Sequence, residues 1–237
     1  MSSHADRILE RIAFVDSERQ RRKADPELQR SVDAIKHYQH ARFQKTYQDL
    51  LSDLDYRPAA EFFLEDLYGP YDFSARDSQF AKLVPAIARV FPGDLVDTLE
   101  NLARLHALTE DLDSRMAEVV ATDRVDARAY VLAWRAVGRQ EDRIRQILWV
   151  RALGDALQGY TRKPFLRQSL RLMHRPAHAM GLGALQDFLE TGFDTFRGLP
   201  DAGLFLRQVE TRERALMESL FRTPTDEISV DLLDQLP

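Results

Sequence analysis

Apolar residues recur along this chain at intervals of three and four for nearly its whole length, and no segment alternates strictly between apolar and polar. That period places apolar side chains on one face of a helix and argues against strands. Ile8, Ile12 and Val15 make a short stripe that ends in the polar run SERQRRK. Asp25 and Pro26 then supply a cap and a first-turn proline, and Leu28, Val32, Ile35, Phe43, Tyr47, Leu50 and Leu54 carry one helix to about residue 54. Pro58 begins another, with Ala60, Phe63, Leu64, Leu67 and Tyr68 on one face, and a further helix covers 75–90 up to the stop FPGD. Asp94 opens a long helix whose stripe is Leu95, Leu99, Leu102, Leu105, Leu108, Leu112, Met116 and Val119. Later stripes carry Tyr130, Val131 and Trp134 after Asp126, and Ile144, Ile147, Leu148 and Leu157 within 139–160. They continue with Leu166, Leu170 and Met173 after Pro164, then Leu185, Phe188, Leu189, Phe193 and Phe196, then Leu206, Val209, Leu216 and Leu220. The fold class is therefore all-α, an irregular bundle of about nine helices without a sheet. The breaks are short and no period repeats, so 1–222 reads as a single helical domain and 223–237 as an acidic C-terminal tail. That tail is either disordered or docked through Ile228, Val230, Leu232, Leu233 and Leu236.

Composition narrows the class. Of 237 residues, 44% are hydrophobic and 30% charged, which suits a globular chain with a full core. Cysteine is absent, which removes disulfides, thiolate metal sites and cysteine nucleophiles and fits a reducing compartment. No run approaches the roughly 18 apolar residues of a membrane span, and the charged N-terminal stretch MSSHADRILERIAF does not suit a secretory signal. A cytoplasmic, soluble protein is expected. The net charge of −5 gives no general attraction to nucleic acid or to an anionic membrane, so either would need a local basic patch.

The stretch EFFLEDLYGPYDFSARD, residues 61–77, is the most distinctive in the chain. Its residues suit a corner between two helices. Gly69 and Pro70 stop the first, Ser74 and Asp77 have capping-box spacing at the start of the second, and Glu61, Glu65 and Asp66 lie on a solvated face. Tyr68, Tyr71 and Phe73 are expected to bury their rings there, and aromatics left exposed at 68–73 would offer a contact for a homodimer. A ligand pocket beside the corner would use Tyr68, Asp72 and Arg76 as polar contacts. The aromatic run Phe188 to Phe196 reads as core, and Gly192 within it as a point of close helix approach.

Two constellations could carry chemistry. His106, Glu110 and Asp113 are spaced i, i+4, i+7 on the long helix, and Asp33, His37 and His40 are spaced alike on another. Facing helices that project imidazole and carboxylate can hold Fe, Mn or Zn, and a single His106 or His37 could serve haem. Neither the Glu-x-x-His pair of di-iron bundles nor His-Glu-x-x-His occurs, so no cofactor is expected in the main reading. The second constellation is basic. Arg162, Lys163, Arg167, Arg171 and Arg175 stand among 162–178 without one acid, and Arg167, Arg171, His174, Arg175 and His178 share a helix side. Such a side suits an anionic small molecule or an acidic peptide, the tail acids Asp226, Glu227, Asp231 and Asp234 included. Nucleic acid is disfavoured by the net charge and by the lack of a helix-turn-helix pattern. Phosphate-loop, dinucleotide and nucleophile-elbow motifs are all missing, and Gly181-Leu-Gly183 reads as a helix break.

The stretches EFFLEDLYGPYDFSARD, LARLHALTEDLDSRMA and LRLMHRPAHAMGLGALQDFLETGFDTFRG resemble a family of uncharacterised bacterial proteins, over about 57–221. The resemblance implies a bacterial, soluble, mostly helical protein and carries no catalytic residue with it. The expectation is thus a non-enzymatic binding or regulatory protein that uses the basic side at Arg167, Arg171, His174, Arg175 and His178. The alternative is a helical-bundle enzyme holding metal or haem through His37, His40, His106, Glu110 and Asp113.

Overall fold

The computed structural model describes residues 3–67, 69–222, 232 and 235–237, and among them there is no strand. Eleven α-helices follow in chain order: α1 (His4–Ala24), α2 (Pro26–Thr46), α3 (Gln48–Ser52), α4 (Arg57–Glu61), α5 (Ser74–Val90), α6 (Gly93–Val120), α7 (Ala127–Val137), α8 (Gln140–Thr161), α9 (Pro164–Ala179), α10 (Gly183–Gly198) and α11 (Ala202–Arg222). A π-helix, Phe62–Leu67, continues α4. One helix of the excess over nine arises because the helix expected to reach residue 54 ends at Thr46, and Tyr47, with φ −113° and ψ 21°, leaves the helical region before α3 starts. The Tyr47 hydroxyl donates to Glu213 Oε1 at 2.6 Å, so a tertiary contact sits at the break.

Local signals set most helix starts. Ser3 and Asp6 form a reciprocal capping box on α1, Asp25 accepts from the amides of Glu27 and Leu28, and Asp126 accepts from Ala129. Two expectations need correction. The polar run SERQRRK does not end α1, because Arg19 and Arg22 turn inward to carboxylates on α5 and α6 and the helix continues to Ala24. Ser74 does not cap α5. It is the first helical residue, its amide is taken by Asp72 Oδ1 at 2.9 Å, and Asp77 is buried against His106 and Arg19.

α6 is the axis of the molecule, with α1, α2, α7 and α8 laid against it. α11 packs on α8 and α7, while α10 bridges α9, α8 and α5. Three apolar clusters fill the gaps. One joins α2, α6, α7 and α11 around Ile35, Met116, Tyr130 and Leu220, and Leu232 and Leu236 are buried in it. Lys45 Nζ donates to the Leu236 carbonyl at 2.6 Å beside this cluster. A second gathers Leu50, Ala60, Phe62, Phe196 and Phe205, and a third ties α1, α5 and α6 through Ile8, Val84 and Val96. Gly192 is needed where it stands: a Cβ there would lie 2.8 Å from the Phe62 ring, so the close approach expected of this glycine is made to the π-helix.

The interior also holds charge. Arg22 donates to Glu110 Oε2 at 2.5 Å, to Ser114 Oγ and to the Glu110 carbonyl, and Lys36 Nζ donates to Glu110 Oε1 at 2.7 Å. Burial alone would raise the Glu110 carboxyl, but Lys36 and Arg22 outweigh it and hold the group at about 2. A carboxyl depressed by folding stabilises above its unfolded value and loses that contribution as pH falls through the folded one. Urea unfolding should therefore show stability declining from near pH 4.5 toward 2, with a shallower acid limb for Glu110→Gln. At neutral pH that variant leaves Arg22 buried beside a neutral amide and should lose roughly 3–5 kcal/mol.

Candidate functional site

A cavity of about 100 Å³ lies between the first two apolar clusters, with walls from α2, α3, α4, the π-helix, α6, α7, α8 and α11. That is room for several waters or a small organic molecule. Its lining has two characters. Phe43, Leu50, Phe63, Phe205, Leu206 and Val209 make an apolar wall, and Gln39, Arg42, Asp113, Tyr130, Trp134 and Arg143 bring polar groups together at the α2–α6–α7–α8 side.

Arg42 and Arg143 are both buried. Arg42 is compensated: its Nη1 donates to Glu213 Oε1 at 2.5 Å, and its guanidinium lies 3.8 Å from the centre of the Phe43 ring. Arg143 is not compensated in the same way. Only 5% exposed, it has no carboxylate within ion-pair distance among the described residues. Its nitrogens meet Gln146 Oε1 at 3.3 Å and the Met116 sulfur at 3.1 Å, and it stacks 3.8 Å from the Trp134 ring centre. Burial accordingly pulls Arg143 below the ordinary guanidinium value, and the same burial pushes the Asp113 carboxyl up, with one hydrogen bond from Gln39 at 3.0 Å. Among the described residues, four buried donors of the lining have no partner: Arg42 Nε, Arg143 Nε, the Tyr130 hydroxyl and Trp134 Nε1. The lining also carries three carboxylates, Asp113, Glu210 and Glu213, so the unpartnered donors on the α7–α8 side are the groups left for an oxyanion to meet.

The residues expected from sequence fall in several places. Glu110 is held by Arg22 and Lys36, Asp113 lines the cavity, and His106 Nε2 lies 2.8 Å from Asp77 on α5. His37 Nδ1 meets the Asp33 carbonyl at 2.7 Å, and His40 lies 3.1 Å from Glu65. Among the described residues, none of these five belongs to a group of three clustered metal-ligating side chains. Asp72 Oδ1 accepts from the Ser74 amide at the start of α5, and Arg76 donates to the Asp66 carbonyl and stacks on Phe73 and Phe188, so both make contacts within the corner. Tyr68 lies outside the described residues. Tyr71 is exposed, contrary to the expected burial, because its hydroxyl reaches out to Glu65 at 2.7 Å.

On α9 the basic side faces acids of α10: Arg167 pairs with Asp194, His174 with Glu190 and His178 with Asp187. Arg171 and Arg175 are exposed and have no ion pair among the described residues. Met173, part of the apolar stripe expected on this helix, does not enter the core. α9 packs on α10 through the side bearing Leu170 and Ala177, so Phe165, Leu172, Met173 and Met180 remain exposed. The tail acids expected to meet this side lie outside the described residues.

Residues 18–227 match the model of a domain of unknown function, DUF8198. The chain belongs to that family. The matched span takes in every residue that lines the cavity and the whole α9–α10 hairpin. No curated protein and no solved structure matches the chain.

A buried cation with no carboxylate at ion-pair distance costs several kcal/mol, more than the roughly 2 kcal/mol a buried stack on Trp134 returns. Arg143→Met, which keeps the length and removes the charge, should therefore raise stability in urea by about 1 kcal/mol or more. A loss of stability instead would mean that Arg143 is a structural member of the core.

Proposed function

We propose that this is a non-enzymatic binding protein that takes a small organic carboxylate into the interior cavity. The carboxylate would lie at Arg143, the Tyr130 hydroxyl and Trp134, and its apolar body against Phe43, Phe63 and Phe205. The observation that carries this reading is the buried Arg143 guanidinium, whose direct contacts are neutral groups and whose charge is felt by Asp113 only at longer range. An anion supplies the missing compensation, and the apolar wall favours one with a hydrocarbon part. Benzoate and hexanoate are suitable probes, with benzyl alcohol as the uncharged control. Thermal unfolding should shift upward with either carboxylate, by the equivalent of roughly 2.7 kcal/mol at a hundred times the dissociation constant. Benzyl alcohol should give no comparable shift, and Arg143→Met should abolish the response. Equal shifts with and without Arg143, or none with either carboxylate, would overturn the reading.

A second reading concerns the outside of α9, where exposed Arg171 and Arg175 flank exposed Phe165, Leu172 and Met180. A basic flank beside an apolar strip suits an acidic amphipathic peptide. A labelled peptide with Glu and Leu at helical spacing should bind in a salt-sensitive way, and Arg171→Glu with Arg175→Glu should eliminate that binding while leaving the benzoate shift unchanged. Retention of peptide binding by the double variant would remove this reading alone.

A further inference from the structure

The α9–α10 hairpin brings a second kind of chemistry to the surface, independent of the cavity. His174 and His178 stand at i and i+4 on α9, so their rings lie on one side of the helix with centroids 4.5 Å apart. Asp187 and Glu190 stand at i and i+3 on α10 and face them. His178 Nε2 is 2.8 Å from Asp187 Oδ1, and His174 Nδ1 is 3.0 Å from Glu190 Oε2. One ligand atom from each of His174, His178 and Asp187 lies within 4.8 Å of the others. A tetrahedral zinc ion with bonds of about 2.0–2.1 Å needs ligand atoms about 3.3 Å apart, so small side-chain rotations close the set.

Two features outside the ligands support them. Gln186 is buried, and its Nε2 donates both to Glu190 Oε1 at 2.8 Å and to the Leu170 carbonyl of α9 at 2.7 Å. It thus fixes one oxygen of Glu190 and leaves the other toward His174, as outer residues orient a ligating carboxylate. Gly183 is the other. A Cβ at that position would lie 2.8 Å from His178 Nδ1, and Gly181 just before it takes a φ of +73°, so the tight turn lets the His178 ring fold back toward α10. The Gly181-Leu-Gly183 break therefore shapes this cluster as well as ending a helix.

The other cluster of metal-ligating side chains among the described residues, His4 with Asp97 and Glu100, is built differently. It offers a single imidazole, and Glu100 is already engaged by Arg7 and Arg104. At the hairpin no arginine or lysine pairs with Asp187 or Glu190 among the described residues. Arg171 and Arg175 stand nearby but are exposed, where solvent screens their repulsion of a cation.

We infer that His174, His178, Asp187 and Glu190 form a site for a divalent metal ion that favours mixed nitrogen and oxygen ligands, zinc foremost, with Gln186 as a positioning residue. Titrating Zn²⁺ into the metal-stripped full chain by calorimetry should show one site per chain. Co²⁺ at the same site should give the visible absorption bands of tetrahedral coordination, which Zn²⁺ then displaces. His174→Ala with His178→Ala should abolish both signals, and because these side chains are exposed the circular dichroism melt should be kept. Gln186→Met should weaken binding roughly 10–100-fold, and His4→Ala should leave it unchanged. The proposal is overturned if no one-to-one binding is seen, if the double histidine variant binds as tightly as the wild type, or if His4→Ala removes the site instead.

Discussion

Glu110 sits where α1, α2 and α6 meet, on the buried side of α6, and its carboxylate faces two cations there. A buried carboxylate without partners would be prohibitively costly, so the three helices have little freedom of register. Arg22 fixes α1 against α6 by reaching the Glu110 side chain, the Glu110 carbonyl and Ser114 at once. Lys36 fixes α2 against the same turn. One turn further along the same two helices, Gln39 meets Asp113 in the same register. That second contact is already part of the cavity wall, so the geometry of the polar site follows from the clamp.

The helices themselves were legible. Their apolar periodicity, the caps at Asp25 and Asp126 and the stops at Gly69-Pro70 and Phe91-Pro92 correspond to physical events a short window contains. The inner charges were less so, though they left a trace. Ile8, Val15 and Arg22 follow one another at seven-residue steps, as Ile35 and Arg42 do, and Arg143 lies four before Ile147. A cation that continues an apolar stripe is on the buried side. The seam of α6 that faces α1 was harder to see. Its buried residues, Glu100, Ala103, Ala107, Glu110, Ser114 and Ala117, are small or polar, so the neighbouring leucine stripe dominated the pattern although α6 is covered on several sides. No periodicity says which helices touch. Hence His106 could be placed beside Glu110 on one helix while its actual partner, Asp77, came from a helix across the bundle.

The α9–α10 hairpin shows the converse case, where charge was conspicuous and its partner was not. A run from 162 to 178 without an acid looks like an unsatisfied basic surface, yet the three acids that meet it follow within the next sixteen residues, after a turn that reverses the chain. Asp187, Glu190 and Asp194 are spaced for one face of α10, and an antiparallel hairpin brings that face against Arg167, His174 and His178 in reverse order. What the sequence presents as one basic segment is half of a pair.

This hairpin is also held differently from the rest of the molecule. Among the described side chains of α9 only Ala177 is buried, so α9 contributes little to the apolar core. Exposed ion pairs of the kind it makes with α10 contribute at most about 1 kcal/mol each, and the Gln186 bridge adds a similar amount. An element anchored this weakly belongs to the low-stability end of a fold, where opening does not require the core to unfold. A ligand that bridges α9 and α10 would act on that local equilibrium first, whereas a ligand in the cavity would lie against α2 and α6, two of the helices that the Glu110 clamp holds in register. The two candidate sites therefore differ in kind: one is rigid and selects by shape and charge, and the other can order the surface that carries it.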